Sequence, residues 1–405
     1  MIIKELKIEN IGPFKDAKVT FPIERNSQGK LPVTIITGEN GTGKSIILDS
    51  IRALFKGHSA IERDIVAQEP FLAQIDIIVD EQVVNIQSTK KATYGKGFST
   101  NNDKFNKYFR EGAREAGIVD WVLDYWTSSL ATDSFKIDTL ATINPNNYLH
   151  DALSPHRSNI DLTKSICYFD YLRESKNPKE KELGEAIFMK IEEAIKSCLL
   201  NGEFKYVSRT DMSPIVEQNG NELTLEKLSS GNLLLIERII SLIGKMYSVF
   251  ILNHKKIDDL FLTKGVLLID EVENHLHPKW QKTFVDIIQS IFPSLQIILT
   301  THSPFIVAAA KDAHIYVCSA QVGYSEITDV TQKYSNMPID EILLTPVFST
   351  QPFNEEISLL IKRRKQAISE NNHKIVPEIE QRLLELNPEY FSYLDIENKI
   401  GGIEK

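Results

Sequence analysis

The residues best placed to do chemistry lie in one run, Gly38-Glu39-Asn40-Gly41-Thr42-Gly43-Lys44-Ser45, which follows the spacing G-x-x-x-x-G-K-[ST]. Glycines at those intervals let backbone N–H groups curl around a phosphate. The lysine then reaches the β- and γ-phosphates, and the hydroxyl beside it can ligate Mg²⁺. Average residue usage puts a chance match in a chain of this size at about one in a hundred. The alternative is an ordinary Gly-rich turn.

Three further segments carry chemistry-bearing groups. Val266-Leu-Leu-Ile-Asp270-Glu271 is an apolar run ending in two carboxylates. Asp270 is placed to hold Mg²⁺ through water and Glu271 to polarise an attacking water, although Asp-Glu at a strand tip is often only a solvated edge. Leu228-Ser229-Ser230-Gly231-Asn232 precedes a strongly apolar helical stretch. Ser229 and Gly231 could offer a hydroxyl and an open N–H to a phosphate, or Ser229 could simply cap the helix. Thr300-Thr-His302-Ser-Pro304 ends a strand, and a neutral His302 there can donate to a γ-phosphate.

These groups need rigid supports. Alternating apolar residues predict strands through the first 37 positions, broken by a turn at Gly12-Pro13, with a buried strand just before the glycine-rich run. A helix is expected from Ser45 to about Phe55, and a hairpin over 73–88 around Asp80-Glu81. Residues 105–200 read as mostly helical. Strand pattern resumes at Lys205, with a hairpin turn at 218–221. The runs 265–270 and 295–300, separated by a helical segment from Pro278 to Ile291, imply a parallel αβ sheet. Beyond 350 the chain is charged and helical.

Composition excludes several classes. With 42% apolar and 25% charged residues, the chain can build a core and is not disordered. Fifty-five acidic against 46 basic residues give a formal charge of −9, unlike a protein coated in nucleic acid, although a local basic groove remains compatible with it. Three scattered cysteines supply neither a disulfide framework nor a zinc site. The richest apolar run, Leu233–Leu252, is broken by Glu237, Arg238 and Lys245, and MIIKELKIEN lacks a signal-peptide core. The expectation is a cytoplasmic protein with no membrane contact.

In this order the motifs resemble those of ATP-binding-cassette (ABC) ATPases: the P-loop (Gly38–Ser45), the LSSGN signature (Leu228–Asn232), Asp270-Glu271, a D-loop-like Asn274-His-Leu-His277 and the switch His302. The opening Leu6-Lys-Ile-Glu-Asn-Ile-Gly-Pro-Phe14 resembles the RecF/SMC/OLD branch. The string Ile269-Asp-Glu-Val-Glu-Asn-His-Leu-His-Pro278 with Thr300–Pro304 resembles stand-alone AAA-family ATPases of bacterial anti-phage systems, of the Septu and retron-linked PtuA, PARIS and OLD types. The resemblance spans roughly 1–90 and 205–330.

The resemblance implies an α/β P-loop ABC-ATPase head with a mixed sheet and flanking helices, a helical insertion and a helical C-terminal tail. The parts would be 1–90 (P-loop half), 91–204 (mainly helical insertion), 205–330 (signature, Asp-Glu strand and switch histidine) and 331–405 (tail, a partner-docking element). It implies ATP and Mg²⁺ as ligands. Residues 38–45 would bind the triphosphate, and Ser45 and Asp270 the metal, with Gln74 (or Gln68) completing its shell. Lys44, Glu271 and His302 would be catalytic. Ser229, Ser230 and Gly231 would reach the nucleotide of a second copy, giving at least a homodimer. Ser230 and Asn232 depart from the usual signature, which bears on the hydrolysis rate. Phe14 and Lys15 are candidates to meet the adenine.

The stretch between Lys44 and Leu228 exceeds what a transporter cassette needs and falls short of a long coiled-coil arm with its return. It mixes Lys104, Lys107, Arg110, Arg114, Arg157 and Lys164 with Phe105, Tyr108, Trp121, Tyr125 and Trp126, as either a DNA or partner surface or a core with a solvated face. The tail lacks Asp-x-Asp, and His150 and His156 are isolated, so any nuclease would be a separate effector held in check by this ATPase. Lys362-Arg-Arg-Lys365 in the tail is a candidate dock for it. The competing reading is a RecF-like DNA-binding ATPase of repair or recombination.

Overall fold

The structure, a computed structural model, describes residues 1–394 apart from 59–60, 92–97, 112–118, 128, 131, 138, 146–148, 150–151, 155–158, 200, 336, 349–352 and 371–374. The chain forms two compact units, Met1–Ile339 and Asp340–Lys405.

In the first unit an antiparallel sheet runs in the order β2-β1-β4-β5-β6, from β1 (Ile2–Ile11), β2 (Phe14–Thr20), β4 (Leu72–Val79), β5 (Gln82–Ser88) and β6 (Phe98–Thr100). Ala73, Ile75, Ile77 and Val79 of β4 point inward at period two. In β1 a register shift between Ile3 and Glu5 breaks that period, so Ile3 and Leu6 both face the core. Helix α1 (Lys44–Lys56) lays Ile47, Leu48, Ile51 and Leu54 into the same core. Each such aliphatic side chain stabilises the fold by roughly 1.5–3 kcal/mol.

The central sheet runs β14-β13-β3-β12-β11-β7. Strands β3 (Thr34–Gly38), β12 (Leu295–Thr301), β11 (Gly265–Ile269), β13 (His314–Gln321) and β7 (Val122–Trp126) pair in parallel, and β14 (Tyr324–Asp329) closes one edge antiparallel. β3 and β11 are buried along their whole lengths, as the uninterrupted apolar runs require for strands covered on both faces. Gln296 is buried on β12, and its side-chain amide trades two hydrogen bonds with the Ile3 backbone, at 2.7 and 2.8 Å, tying the two sheets together.

The expected mainly helical 91–204 also supplies strands to the sheets. Helices α2 (Asp103–Glu111), α3 (Asn159–Arg173) and α4 (Pro178–Cys198) are present, but β6 and β7 of this stretch belong to the two sheets. VLDYW is short and wholly buried, so it shows neither period-two alternation nor the length of a helix. Phe105 and Trp121 stack at 5.9 Å within the head's core, against Phe55. A third sheet, β8 (Gly202–Ser208), β9 (Ser213–Gln218) and β10 (Asn221–Thr224), leads into α5 (Ser230–Asn253). Helix α6 (Pro278–Ile291) joins β11 to β12, and α7 (Pro304–Ala309) joins β12 to β13.

The second unit packs α8 (Glu355–Ser369) and α9 (Val376–Leu386) around Ile357, Ile379, Leu383, Phe391 and Leu394. Two ion pairs cross between the helices, Arg364–Glu380 at 2.7 Å and Arg382–Glu356 at 2.8 Å.

Candidate nucleotide site

The glycine-rich run leaves β3 and becomes the N-terminus of α1, as its sequence requires. Gly43 caps α1 in the left-handed region (φ 99°), and a Cβ there would lie 2.6 Å from the Phe14 ring, so only glycine fits. No side chain caps the helix and no acidic residue occupies its first turn, which leaves its positive end available to an anion. The buried Lys44 ammonium donates to the carbonyls of Gly38 (3.2 Å) and Glu39 (2.9 Å), and Thr42 Oγ1 donates to Glu39 O (2.8 Å). Burial pulls the Lys44 pKa down, while neighbouring Glu273, Asp270 and Glu271 are among the groups that oppose this.

Asp270 stands at the end of β11, mostly buried. Its Oδ1 accepts hydrogen bonds from Ser45 Oγ (2.8 Å) and Thr300 Oγ1 (2.6 Å). The P-loop, the Asp-Glu strand and the strand carrying the switch histidine therefore meet at one carboxylate oxygen. Glu271 turns into the left-handed region (φ 49°), where its N–H donates to Thr300 Oγ1 and its Oε2 accepts from the Asn274 amide at 2.7 Å. Glu273 binds the histidine loop: its carboxylate accepts from Thr301 Oγ1 (2.7 Å) and from the His302 N–H (2.6 Å). Burial and the Lys44 charge lower the His302 pKa, which favours the neutral imidazole. Ser45 and Asp270 offer hard oxygen donors side by side beside a lysine, a set that suits Mg²⁺ with water and phosphate completing the shell.

The signature forms the N-terminus of α5. Ser229 caps it, accepting from Asn232 N at 3.4 Å, and no acidic residue lies in its first turn. The capping reading of Ser229 and an anion site at the helix end are thus both compatible with one geometry. Ser229 and Ser230 are exposed and Gly231 is buried. A Cβ on Gly231 would lie 2.2 Å from His275 O, so the signature helix sits directly on the D-loop-like segment.

Other expected residues fall elsewhere. Gln74, the third residue of β4, lies on the face opposite Ala73 and Ile75, paired with Lys7 and Gln87. Gln68 is exposed in the loop before β4. Phe14 is buried against Gly43 and cannot stack on a base, while Lys15 stands 4.7 Å over the Tyr324 ring. Phe105, Trp121, Tyr125 and Trp126 are core residues, not a surface for nucleic acid. Lys104 pairs with Asp80 and Asp120. Arg114, Arg157, His150 and His156 lie outside the described residues, as does the side chain of Arg110. Sequence reasoning missed Glu273 and Tyr125. Glu273 carries a readable signal, a third carboxylate following Asp270 and Glu271, and Tyr125 would have followed from reading VLDYW as a strand.

Comparisons with known proteins bear on the family of the chain. The family model described as "AAA domain, putative AbiEii toxin, Type IV TA system" matches residues 33–308, well over half of the chain. The Septu protein PtuA of Bacillus thuringiensis is 25% identical over 363 residues, covering 85% of this chain and 83% of that protein. The Retron Vc95 probable ATPase of Vibrio cholerae serotype O1 biovar El Tor is 28% identical over 183 residues, 44% of this chain. That match spans only 34% of the retron protein's length. Among solved structures, the SMC head domain from Thermotoga maritima aligns over 82% of this chain and 99% of its own, at 14% identity and a TM-score of 0.47. With a family match of that extent over the P-loop, signature and Asp-Glu strand, this chain belongs to that AAA-domain family and is an ABC-type ATPase head resembling the anti-phage Septu and retron ATPases.

Proposed function

We propose that this protein binds Mg·ATP between two copies of itself, hydrolyses it, and through that cycle restrains a separate effector, a nuclease, in the cytoplasm of a bacterium defending itself against phage. The observation that carries the reading is the convergence of the Ser45 and Thr300 hydroxyls on one carboxylate oxygen of Asp270, beside Lys44. Ser45 and Asp270 would hold a magnesium ion there, which would supply charge neutralisation to the triphosphate.

The chain's own residues do the rest. The P-loop backbone and Lys44 hold the triphosphate. Glu271, steadied by Asn274, is set to take a proton from the attacking water. Neutral His302 donates to the γ-phosphate and so reports its presence. Ser229, Ser230 and Gly231 contribute to the partner copy's nucleotide, because two of them are exposed at a helix end free of acidic groups. Closing two heads over ATP and releasing them on hydrolysis is a population shift driven by nucleotide contacts present only in the closed state. The second unit, Asp340–Lys405, is the docking element for the effector.

The test is nucleotide binding by calorimetry, with mass and turnover measured with and without ATP. Lys44→Ala is expected to abolish binding. Glu271→Gln is expected to bind ATP, accumulate as a dimer and lose at least roughly 10²-fold in turnover. Equal turnover in wild type and Glu271→Gln would remove the base, and a monomer at saturating ATP would remove the shared site. Tight, steeply salt-dependent binding of duplex DNA by the chain alone would favour the RecF-like repair reading instead.

A further inference from the structure

Strand β7 is the neighbour of β11 in the central sheet, in parallel register, so its end lies beside Asp270. The Asp270 N–H donates to Trp126 O at 2.8 Å. One residue earlier, the Tyr125 hydroxyl donates to Asp270 Oδ2 at 3.4 Å. Asp270 thus has its two oxygens addressed differently: Ser45 and Thr300 meet Oδ1, and Tyr125 meets Oδ2.

The Tyr125 ring is itself held. The Arg52 guanidinium, from the P-loop helix α1, lies 3.9 Å from the ring centroid. Arg52 is 1% exposed and pairs with Asp49 at 2.6 Å and with Glu62 at 3.1 Å, while also donating to Leu153 O. A buried guanidinium anchored on several sides is a stiff platform, because leaving any of its donors unmatched costs several kcal/mol.

We propose that Tyr125 is a positioning residue of the metal site, its hydroxyl fixing the second carboxylate oxygen of Asp270 and its ring clamped by Arg52, so that β7 and α1 together orient the magnesium-holding carboxylate. This rests on the nucleotide-binding reading above. It joins the helix that follows the P-loop to the carboxylate by a route separate from Ser45. A carboxylate restrained at both oxygens presents one orientation to the metal–water shell. One restrained at a single oxygen can rotate about its Cβ–Cγ bond.

Tyr125→Phe removes only the hydroxyl and keeps the ring under Arg52. Mn²⁺ binding to the full chain loaded with a slowly hydrolysed ATP analogue can be read by electron paramagnetic resonance, which needs no turnover. The expected result is a roughly tenfold loss of Mn²⁺ affinity. Nucleotide affinity in EDTA and the melting temperature without metal should match wild type. Unchanged Mn²⁺ affinity would overturn the proposal. A variant that melts well below wild type without metal would make Tyr125 a core residue only, and would overturn it too. If wild type itself binds no nucleotide in EDTA or in metal, the nucleotide reading fails and takes this inference with it, an outcome distinct from the other two.

Discussion

At the residue scale the site is organised by carboxylates that differ in what surrounds them. Asp270 is buried and accepts from three hydroxyls, Glu271 is steadied by one amide, and Glu273 is spent on the backbone and hydroxyl of the histidine loop. Glu273 thereby fixes where His302 stands, while burial, assisted by the Lys44 charge, sets its protonation. The folded state holds His302 with a pKa below its ordinary 6.5, so it binds fewer protons than the unfolded chain. His302 therefore contributes stability above pH 6.5 that is lost as pH falls through that value toward the folded pKa. For turnover the same shift favours the neutral imidazole across the physiological range. His302→Gln is expected to lower turnover by roughly 10²-fold, from the loss of a positioned donor, and to flatten the acid limb of the pH–rate profile below 6.5. A profile with the same acid limb in both proteins would take that limb away from His302.

At the element scale, the ends of β3, β11 and β12 converge with the start of α1, and most of this was legible in the sequence. The P-loop announces itself by glycines that only a strand–turn–helix can use, and β11 and β12 by uninterrupted apolar runs. What stayed hidden were contacts made by tertiary packing. β7 is too short and too evenly buried to show a period, so its place beside Asp270 could not be read from pattern. By contrast, alternation is legible in β4, where Gln74 takes the face opposite Ala73 and Ile75. Gly231 is a further case, since its spacing reads as a phosphate-facing glycine whereas the structure adds a backbone approach to His275. Gly231→Ala should force the start of α5 off the D-loop-like segment. The expected cost is about 1–3 kcal/mol in denaturant unfolding of the nucleotide-free protein, together with lost turnover and retained ATP binding by Lys44 and its loop. If the variant melts like wild type and hydrolyses ATP normally, the helix and the loop are not locked together.

At the scale of the whole molecule, the proposed nucleotide cycle must reach another protein. The second unit has a small core of its own and a charged outer surface. Its basic run divides by role: Arg364 is committed to Glu380 at 2.7 Å and holds α8 to α9, whereas Lys362, Arg363 and Lys365 are exposed, and Leu359 on the same helix leaves half its surface in water. Those three cations can therefore be reversed without touching the core, because surface charges away from buried partners change stability by only about 0.5 kcal/mol. Replacing Lys362, Arg363 and Lys365 by glutamate should leave melting, ATP affinity and ATP-dependent dimerisation as in wild type. Copurification of a coexpressed neighbouring effector should fall at least tenfold if complementary charge guides the encounter, and residual binding should weaken further with salt. If the effector copurifies undiminished with the charge-reversed chain, docking belongs to the ATPase unit, and the mostly exposed turn between α3 and α4, residues 174–182, becomes the next surface to reverse.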